Sequence, residues 1–204
     1  MNLWKNNRTA APMSQVRTRT FIAIEAVDEV HVRALQVIDL LAEAAQNVKW
    51  VEPDKLHWTL HFLGDITDED IAHVCRLVGK VADRHEPFLL TARAVGAFPK
   101  PERPRTLWLG AGQGSESLCR LQADLEEGLA KLGFRGENRR YVPHLTLGRV
   151  NRGREGGPQL AETLAELAEF DGGRMEVDEV TVYASVLTRE GATYHILSRA
   201  ELGA

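Results

Sequence analysis

The 204-residue sequence lacks a long hydrophobic run, has two cysteines and carries no excess of positive charge. Charged residues interrupt its apolar stretches well before the roughly 18–20 residues that a membrane-spanning helix requires. A net charge of −4 argues against the broad positive field with which proteins coat duplex nucleic acid, although a local basic patch could still hold a few phosphates. Cys75 and Cys119 have no metal-site or disulfide spacing, which indicates reduced thiols in a cytoplasmic protein.

The amino-terminal segment is basic and lacks acidic residues. Lys5, Arg8, Arg17 and Arg19 lie within the first 19 residues, which contain no apolar core of the kind found in a secretory signal. We interpret residues 1–18 as a disordered basic tail and residues 19–204 as one domain. An organelle transit peptide is the alternative interpretation of the tail, and Met13 is an alternative start.

Strand-like and helix-like segments alternate along the rest of the chain. β-branched or apolar runs at 20–26, 57–64, 88–99, 144–150, 174–187 and 193–202 predict strands, 105–112 predicts a strand into a loop, and 48–56 predicts a short strand and a turn. Apolar residues at helical spacing predict helices over 29–46, 69–83, 115–133 and 160–170. No linker rich in proline or serine divides the chain. The pattern predicts one α+β domain of two lobes, with helices outside and sheet faces inside.

The stretch HWTLHFLG (57–64) predicts a strand with one polar and one apolar face. Successive strand residues point to opposite sides. One face is therefore expected to carry His57, Thr59 and His61, and the other Trp58, Leu60 and Phe62. The apolar face is expected to pack under helices, and the polar face to meet solvent or a ligand.

The same His-x-Thr-Leu motif occurs again in HLTLGRV (144–150). Alternation places His144, Thr146 and Gly148 on one face and the leucines on the other. A single motif of this kind is a weak signal, because a strand histidine is more often structural than catalytic. Two copies, each with apolar residues at the alternate positions, favour a shared functional site.

The residue types fit chemistry at phosphorus. The histidine and threonine of each motif are about 6.6 Å apart along a strand, a span that suits one tetrahedral anion. Displacement at phosphorus requires a base for the attacking group and an acid for the leaving oxygen, and imidazole serves either role near neutral pH. Two hydroxyls can hold the non-bridging oxygens without a metal.

These residues resemble the two-histidine (2H) phosphoesterase superfamily, and more narrowly the bacterial RNA 2′,3′-cyclic phosphodiesterases, also called 2′-5′ RNA ligases. The supporting stretches are TFIAIE, LHWTLHFLGD, RTLWLG, YVPHLTLGRV and VYASVLTREGATYHIL, and the resemblance covers roughly residues 19–200. It implies two pseudo-symmetric lobes whose antiparallel sheets line a central cleft. The implied activity is metal-independent hydrolysis of an RNA 2′,3′-cyclic phosphate to a 2′-phosphomonoester, with reversible 2′-5′ ligation as a further activity.

The resemblance also assigns roles to the motif residues. His57 would protonate the leaving 3′ oxygen, His144 would accept the proton of the attacking water, and Thr59 and Thr146 would bind the phosphate. The reverse ligation exchanges acid and base. The partner expected is an RNA 3′ end with a 2′,3′-cyclic phosphate, and we expect a monomer with no metal and no cofactor.

Several further residues are candidates for contacts with RNA. Arg149 would reach the cleft if Gly148 introduces a bulge or if the strand ends there, since strict alternation puts it on the apolar side. The other candidate cations, for which solvated loops are the alternative, are Arg103, Arg105, Arg139 and Arg140. Phe21 and Tyr194 offer rings for base stacking, with core packing as the alternative.

Two other patterns are discounted as sites. GAGQG (110–114) lacks the last glycine of a dinucleotide-binding loop. His57 and His61 would be about 13 Å apart on a strand, too far to share a metal ion. Competing functions are hydrolysis of 2′-5′-linked oligonucleotides or of small cyclic nucleotides, and binding of RNA ends without turnover.

Overall fold

The computed structural model of the protein describes residues 16–45, 47–136, 140–151, 157–189 and 191–203. The first 15 residues of the predicted basic tail lie outside this range, as does Arg139. The described helices are α1 (Asp28–Ala44), α2 (Asp68–Ala82), α3 (Ser115–Lys131) and α4 (Gly157–Glu166), with a 3₁₀ turn at Pro53–Lys55. The described strands are β1 (Arg17–Glu25), β2 (Val48–Trp50), β3 (His57–Thr67), β4 (Phe88–Phe98), β5 (Thr106–Ala111), β6 (His144–Val150), β7 (Asp171–Val177), β8 (Glu179–Leu187) and β9 (Ala192–Glu201).

The strands form one antiparallel sheet with a symmetric order. The order is β7-β4-β5-β6-β3-β1-β8-β9, and β2 pairs with the end of β6. We call β3, β1, β8 and β9 the first lobe, and β6, β5, β4 and β7 the second lobe. The lobes meet where β6 and β3 share the registered pair Trp58 and Leu145, and the strands diverge on either side of it. This architecture confirms the predicted α+β fold with two pseudo-symmetric lobes.

The helices cover one face of the sheet and enclose the core. Helix α1 packs on β7 and α4, while α2 packs on α3 and β9. The apolar residues of both motifs lie in this core, and the buried set includes Trp58, Leu60, Leu145 and Leu147. Burial of a large apolar side chain stabilises a fold by roughly 1.5–3 kcal/mol. The core therefore fixes which face of β3 and β6 remains available for chemistry.

Local signals in the sequence match the element ends. Thr67 and Asp70 form a capping box at the start of α2, in which each side chain accepts from the other residue's backbone N–H at 3.2 Å. Strand β1 starts at Arg17, three residues before the run that predicted it. Cys75 and Cys119 are both free. Within the described ranges, none of the helices is long and apolar enough to cross a membrane.

Candidate active site

A β-bulge at Leu60 redirects the end of the first motif. The pairing of β3 with β1 steps from Thr59 directly to His61, so Leu60 is an extra residue in its strand. His61 consequently turns to the core face and is only 6% exposed, whereas Phe62 is 55% exposed on the face that carries His57. The prediction that His61 shares the polar face and Phe62 the apolar face is therefore wrong, because strict alternation stops at the bulge.

The second motif carries the corresponding bulge at Leu147. The pairing of β6 with β5 steps from Thr146 to Gly148, one residue earlier than the bulge expected at Gly148. Arg149 therefore joins the histidine face, and its Nη1 donates to Thr106 Oγ1 at 3.5 Å. Arg149 occupies the position in the second lobe that Phe62 occupies in the first. The two lobes thus place one cation and one aromatic ring at equivalent points of the cleft.

The junction of the lobes brings the four motif side chains together. In an antiparallel pair centred on Trp58 and Leu145, the adjacent positions bring His57 toward Thr146 and Thr59 toward His144. All four lie on the face opposite the core and are half-buried. Thr59, Phe62, His144, Thr146 and Arg149 are among the residues that line the cleft between β3 and β6. A single anion between the lobes can therefore contact both motifs.

Both histidines are held in the same tautomer by their own strands. His57 Nδ1 lies 2.7 Å from the carbonyl oxygen of Lys55, and His144 Nδ1 lies 2.8 Å from that of Val142. A carbonyl oxygen only accepts, so Nδ1 carries the proton and donates in each case. The Nε2 atom of each ring is therefore the nitrogen that can act as a base when the ring is neutral and as an acid when it is protonated.

The surroundings of His57 favour its neutral form. Burial lowers the pKa of His57 most strongly, and the positive charges of Arg149 and His144 lower it further, against the opposing effect of the Lys55 carbonyl. A phosphate anion bound between the two rings would add negative charge and favour the protonated form. Substrate binding and protonation of His57 are therefore coupled.

Substitution of Arg149 by methionine should raise the pKa of His57 in the free protein. The substitution removes a positive charge that disfavours imidazolium, so His57 should remain protonated to a higher pH. An NMR titration of the His57 Hε1 proton, assigned by comparison with His57→Ala, measures the change. The matched control is Arg120→Met on the outer helix α3, which should leave the titration unchanged. An unshifted midpoint in the Arg149 variant would show that this charge does not act on His57.

Aromatic rings pack around each histidine. Phe21 lies 5.0 Å from His57 and stacks on Tyr183 at 5.1 Å, with only 3% of its surface exposed. Of the two alternatives for Phe21, this burial supports core packing over base stacking, because its ring is covered by residues of neighbouring strands. Tyr194 is half-buried and meets His57 edge-on at 5.6 Å. In the first lobe, Tyr194 and Phe62 are the candidates for contact with a base.

Two residues of the cleft carry no clear signal in the sequence. Tyr141 donates its hydroxyl to the backbone carbonyl of Thr59 at 3.1 Å, next to the bulge, and burial raises the pKa of its phenol. Phe62 follows the first motif at the position where Arg149 follows the second. Alignment of the two motifs residue by residue would have identified Phe62 as the counterpart of Arg149. Tyr141 could not be found in this way, because it contacts a residue 82 positions away in the sequence.

The remaining candidate arginines lie outside the core of the site. Arg105 is exposed, and its backbone carbonyl accepts from Val150 N at 3.0 Å, which places it beside the end of β6 and close to Arg149. Arg103 and Arg140 are exposed on the segments that precede β5 and β6. Among the described residues, no group of three or more histidine, cysteine, aspartate or glutamate side chains is arranged to hold a metal ion.

Comparison with known proteins agrees with the geometry. The sequence model of the 2′-5′ RNA ligase superfamily matches residues 25–188. A relative from Methanothermobacter thermautotrophicus, named RNA 2′,3′-cyclic phosphodiesterase, is 37% identical over 179 residues, which cover 88% of this chain and 96% of the relative.

Solved structures show the same fold. A crystal structure from Thermus thermophilus superposes with a TM-score of 0.76 at 25% identity, covering 91% of this chain and 98% of that chain. E. coli LigT in complex with 3′-AMP superposes with a TM-score of 0.72 at 28% identity, covering 92% of this chain and 99% of that chain. These matches confirm the resemblance carried by the two motifs. The chain belongs to the 2′-5′ RNA ligase superfamily.

Proposed function

We propose that this protein hydrolyses 2′,3′-cyclic phosphates at RNA 3′ ends to 2′-phosphomonoesters. The observation that carries the proposal is the pairing of two histidine–threonine sets around one junction, each with its histidine Nδ1 held by a backbone carbonyl. The name of the Methanothermobacter relative supports the substrate class. All four groups come from one chain, so the site is complete in a monomer, and the two free cysteines suit the cytoplasm.

The two histidines have complementary roles in the proposed reaction. Water attacks phosphorus while His144 Nε2 accepts its proton, and the bond from phosphorus to the 3′ oxygen breaks as His57 Nε2 donates a proton to that oxygen. The products are a 2′-phosphate and a free 3′-hydroxyl. When an RNA 5′-hydroxyl replaces water, the same step forms a 2′-5′ linkage, and its reversal exchanges the acid and the base.

Charge that develops on the phosphate requires donors in the cleft. The hydroxyls of Thr59 and Thr146 lie on the same face as the histidines and can donate to the non-bridging oxygens. Arg149 adds a positive charge beside the second motif. We propose that these groups stabilise the transition state without a metal and without a cofactor.

A substrate panel tests the proposal against its alternatives. The panel contains a short RNA ending in a 2′,3′-cyclic phosphate, a mononucleoside 2′,3′-cyclic phosphate, a 3′,5′-cyclic nucleotide and a 2′-5′-linked dinucleotide. We expect the highest kcat/KM for the RNA, with an increase as nucleotides are added. Preference for the 2′-5′ linkage or for a mononucleotide would favour the competing hydrolases, and tight product binding without any turnover would favour an RNA-end binding protein.

A further inference from the structure

A separate cavity adjoins His57 in the first lobe. It has a volume of about 310 Å³ and lies between the Pro53–Lys55 turn and the start of β9. Tyr194 lines this cavity and also contacts the His57 ring at 5.6 Å. Lys55 also lines the cavity, and its backbone carbonyl accepts from His57 Nδ1. The cavity and the catalytic histidine therefore share a wall, and the volume is in the range of small-ligand sites.

Glu52 and Lys55 set an acceptor beside a donor in a cavity whose lining also includes the polar residues Asp54, Thr188 and Thr193. Glu52 and Lys55 are ion-paired, and the pair lines the cavity. The Glu52 side chain remains 55% exposed, so its carboxylate oxygens can accept further hydrogen bonds, whereas Lys55 is 18% exposed. Gly191 lies directly beside the carboxylate, since a Cβ there would be in van der Waals contact with Glu52 Oε1 at 3.7 Å. Tyr194 adds an aromatic ring to the same wall.

We propose that this cavity binds the base of the nucleotide that carries the cyclic phosphate and that it selects guanine. The inference rests on the proposed function, in which His57 protonates the leaving 3′ oxygen and the terminal ribose therefore lies on the His57 side of the phosphate. Single-stranded bases are read by hydrogen bonds to their Watson–Crick edge and by stacking on aromatic rings. Tyr194 supplies the ring for the terminal base.

The charge pattern of Glu52 and Lys55 matches the guanine edge. Guanine presents two adjacent donors, N1–H and the exocyclic amine, which a carboxylate accepts together, and its O6 accepts from an ammonium. Adenine and cytosine instead present a ring nitrogen that accepts, which leaves the carboxylate facing a lone pair. Uracil has one donor between two carbonyl oxygens. Only guanine offers the arrangement of two donors and one acceptor that complements this pair.

The test compares terminal bases in otherwise identical substrates. Four dinucleotide 2′,3′-cyclic phosphates share the same first nucleotide and end in guanosine, adenosine, cytidine or uridine, and a fifth ends in inosine. Because a bidentate pair discriminates between bases, we expect kcat/KM to favour guanosine by about 5- to 150-fold. Inosine keeps N1–H and O6 but lacks the amine, so it should fall between guanosine and adenosine.

The Glu52→Ala variant should abolish the preference for guanosine over the other terminal bases. Glu52 makes no side-chain cap for the turn, so its truncation removes no helix cap. Glu162→Ala, on the exposed face of α4, is the matched control and should keep the preference. Equal rates for all bases in an active enzyme, or a guanosine preference that survives in Glu52→Ala, would overturn the inference alone. Failure to hydrolyse any of the five substrates would overturn the proposed function as well.

Discussion

Replacement of either His57 or His144 by alanine is expected to lower kcat/KM for an RNA 2′,3′-cyclic phosphate by about 10²–10⁴-fold, the usual contribution of a positioned acid or base. Each ring presents Nε2 because its Nδ1 is bonded to a backbone carbonyl, and alanine removes that group. The loss should fall mainly on kcat, since a proton in transit stabilises the transition state and not the bound substrate. Steady-state kinetics on the purified variants measures the change.

Two comparisons make the histidine experiment specific. His73→Ala changes an exposed residue of α2 and should keep the wild-type rate. A substrate with sulfur in place of the bridging 3′ oxygen has a leaving group that needs no acid, so it should restore much of the rate of His57→Ala and little of the rate of His144→Ala. Rescue of the opposite variant would reverse the assigned roles. Wild-type turnover in either alanine variant would contradict the two-histidine mechanism.

Replacement of Thr59 or Thr146 by valine is expected to lower kcat by about 10²-fold, the loss typical of one donor to a developing negative charge. Valine has nearly the same shape as threonine but cannot donate to a phosphate oxygen. Both side chains are half-buried at the cleft, so the fold should tolerate the change. Single-turnover kinetics at saturating enzyme reports the chemical step directly.

The serine variants at the same two positions are the matched controls. Thr59→Ser and Thr146→Ser keep the hydroxyl and should retain most of the activity, while thermal unfolding should show similar stability for the serine and valine proteins. Wild-type single-turnover rates in both valine variants would show that the hydroxyls do not stabilise the phosphate.

The apolar half of the site could be predicted from alternation in the sequence. Trp58, Leu60, Leu145 and Leu147 lie in the core as expected, because removal of such side chains from water outweighs local preferences. The same pattern identifies the histidine–threonine pairs on the opposite face. Two repeats of one motif also indicate the symmetric arrangement of the lobes.

The bulge at Leu60 and the exact position of the bulge at Leu147 could not be predicted from the motifs alone. A bulge is a property of a strand pair, and here the partners are β1 and β5, which lie far from the motifs in the sequence. The consequence is large, since each bulge exchanges the faces of the residues that follow. It buries His61, exposes Phe62 and brings Arg149 into the cleft.

The burial of Phe21 could not be predicted from the local sequence either. An aromatic residue in a strand next to His57 is consistent with a stacking platform when only the local sequence is considered. Its burial depends on Tyr183 and Tyr194, from strands that lie more than 150 residues later. Contacts of this separation are set by the topology of the sheet, and local pattern carries little information about them.

The most direct test of the central claim is the position of the phosphate in the product. The purified protein is incubated in EDTA with a short RNA ending in a 2′,3′-cyclic phosphate, and the products are resolved as 2′- or 3′-phosphates. We predict a 2′-phosphate, formed at full rate in the chelator and lost in both His57→Ala and His144→Ala. A 3′-phosphate product, dependence on a metal, or no turnover of the cyclic end would contradict this prediction.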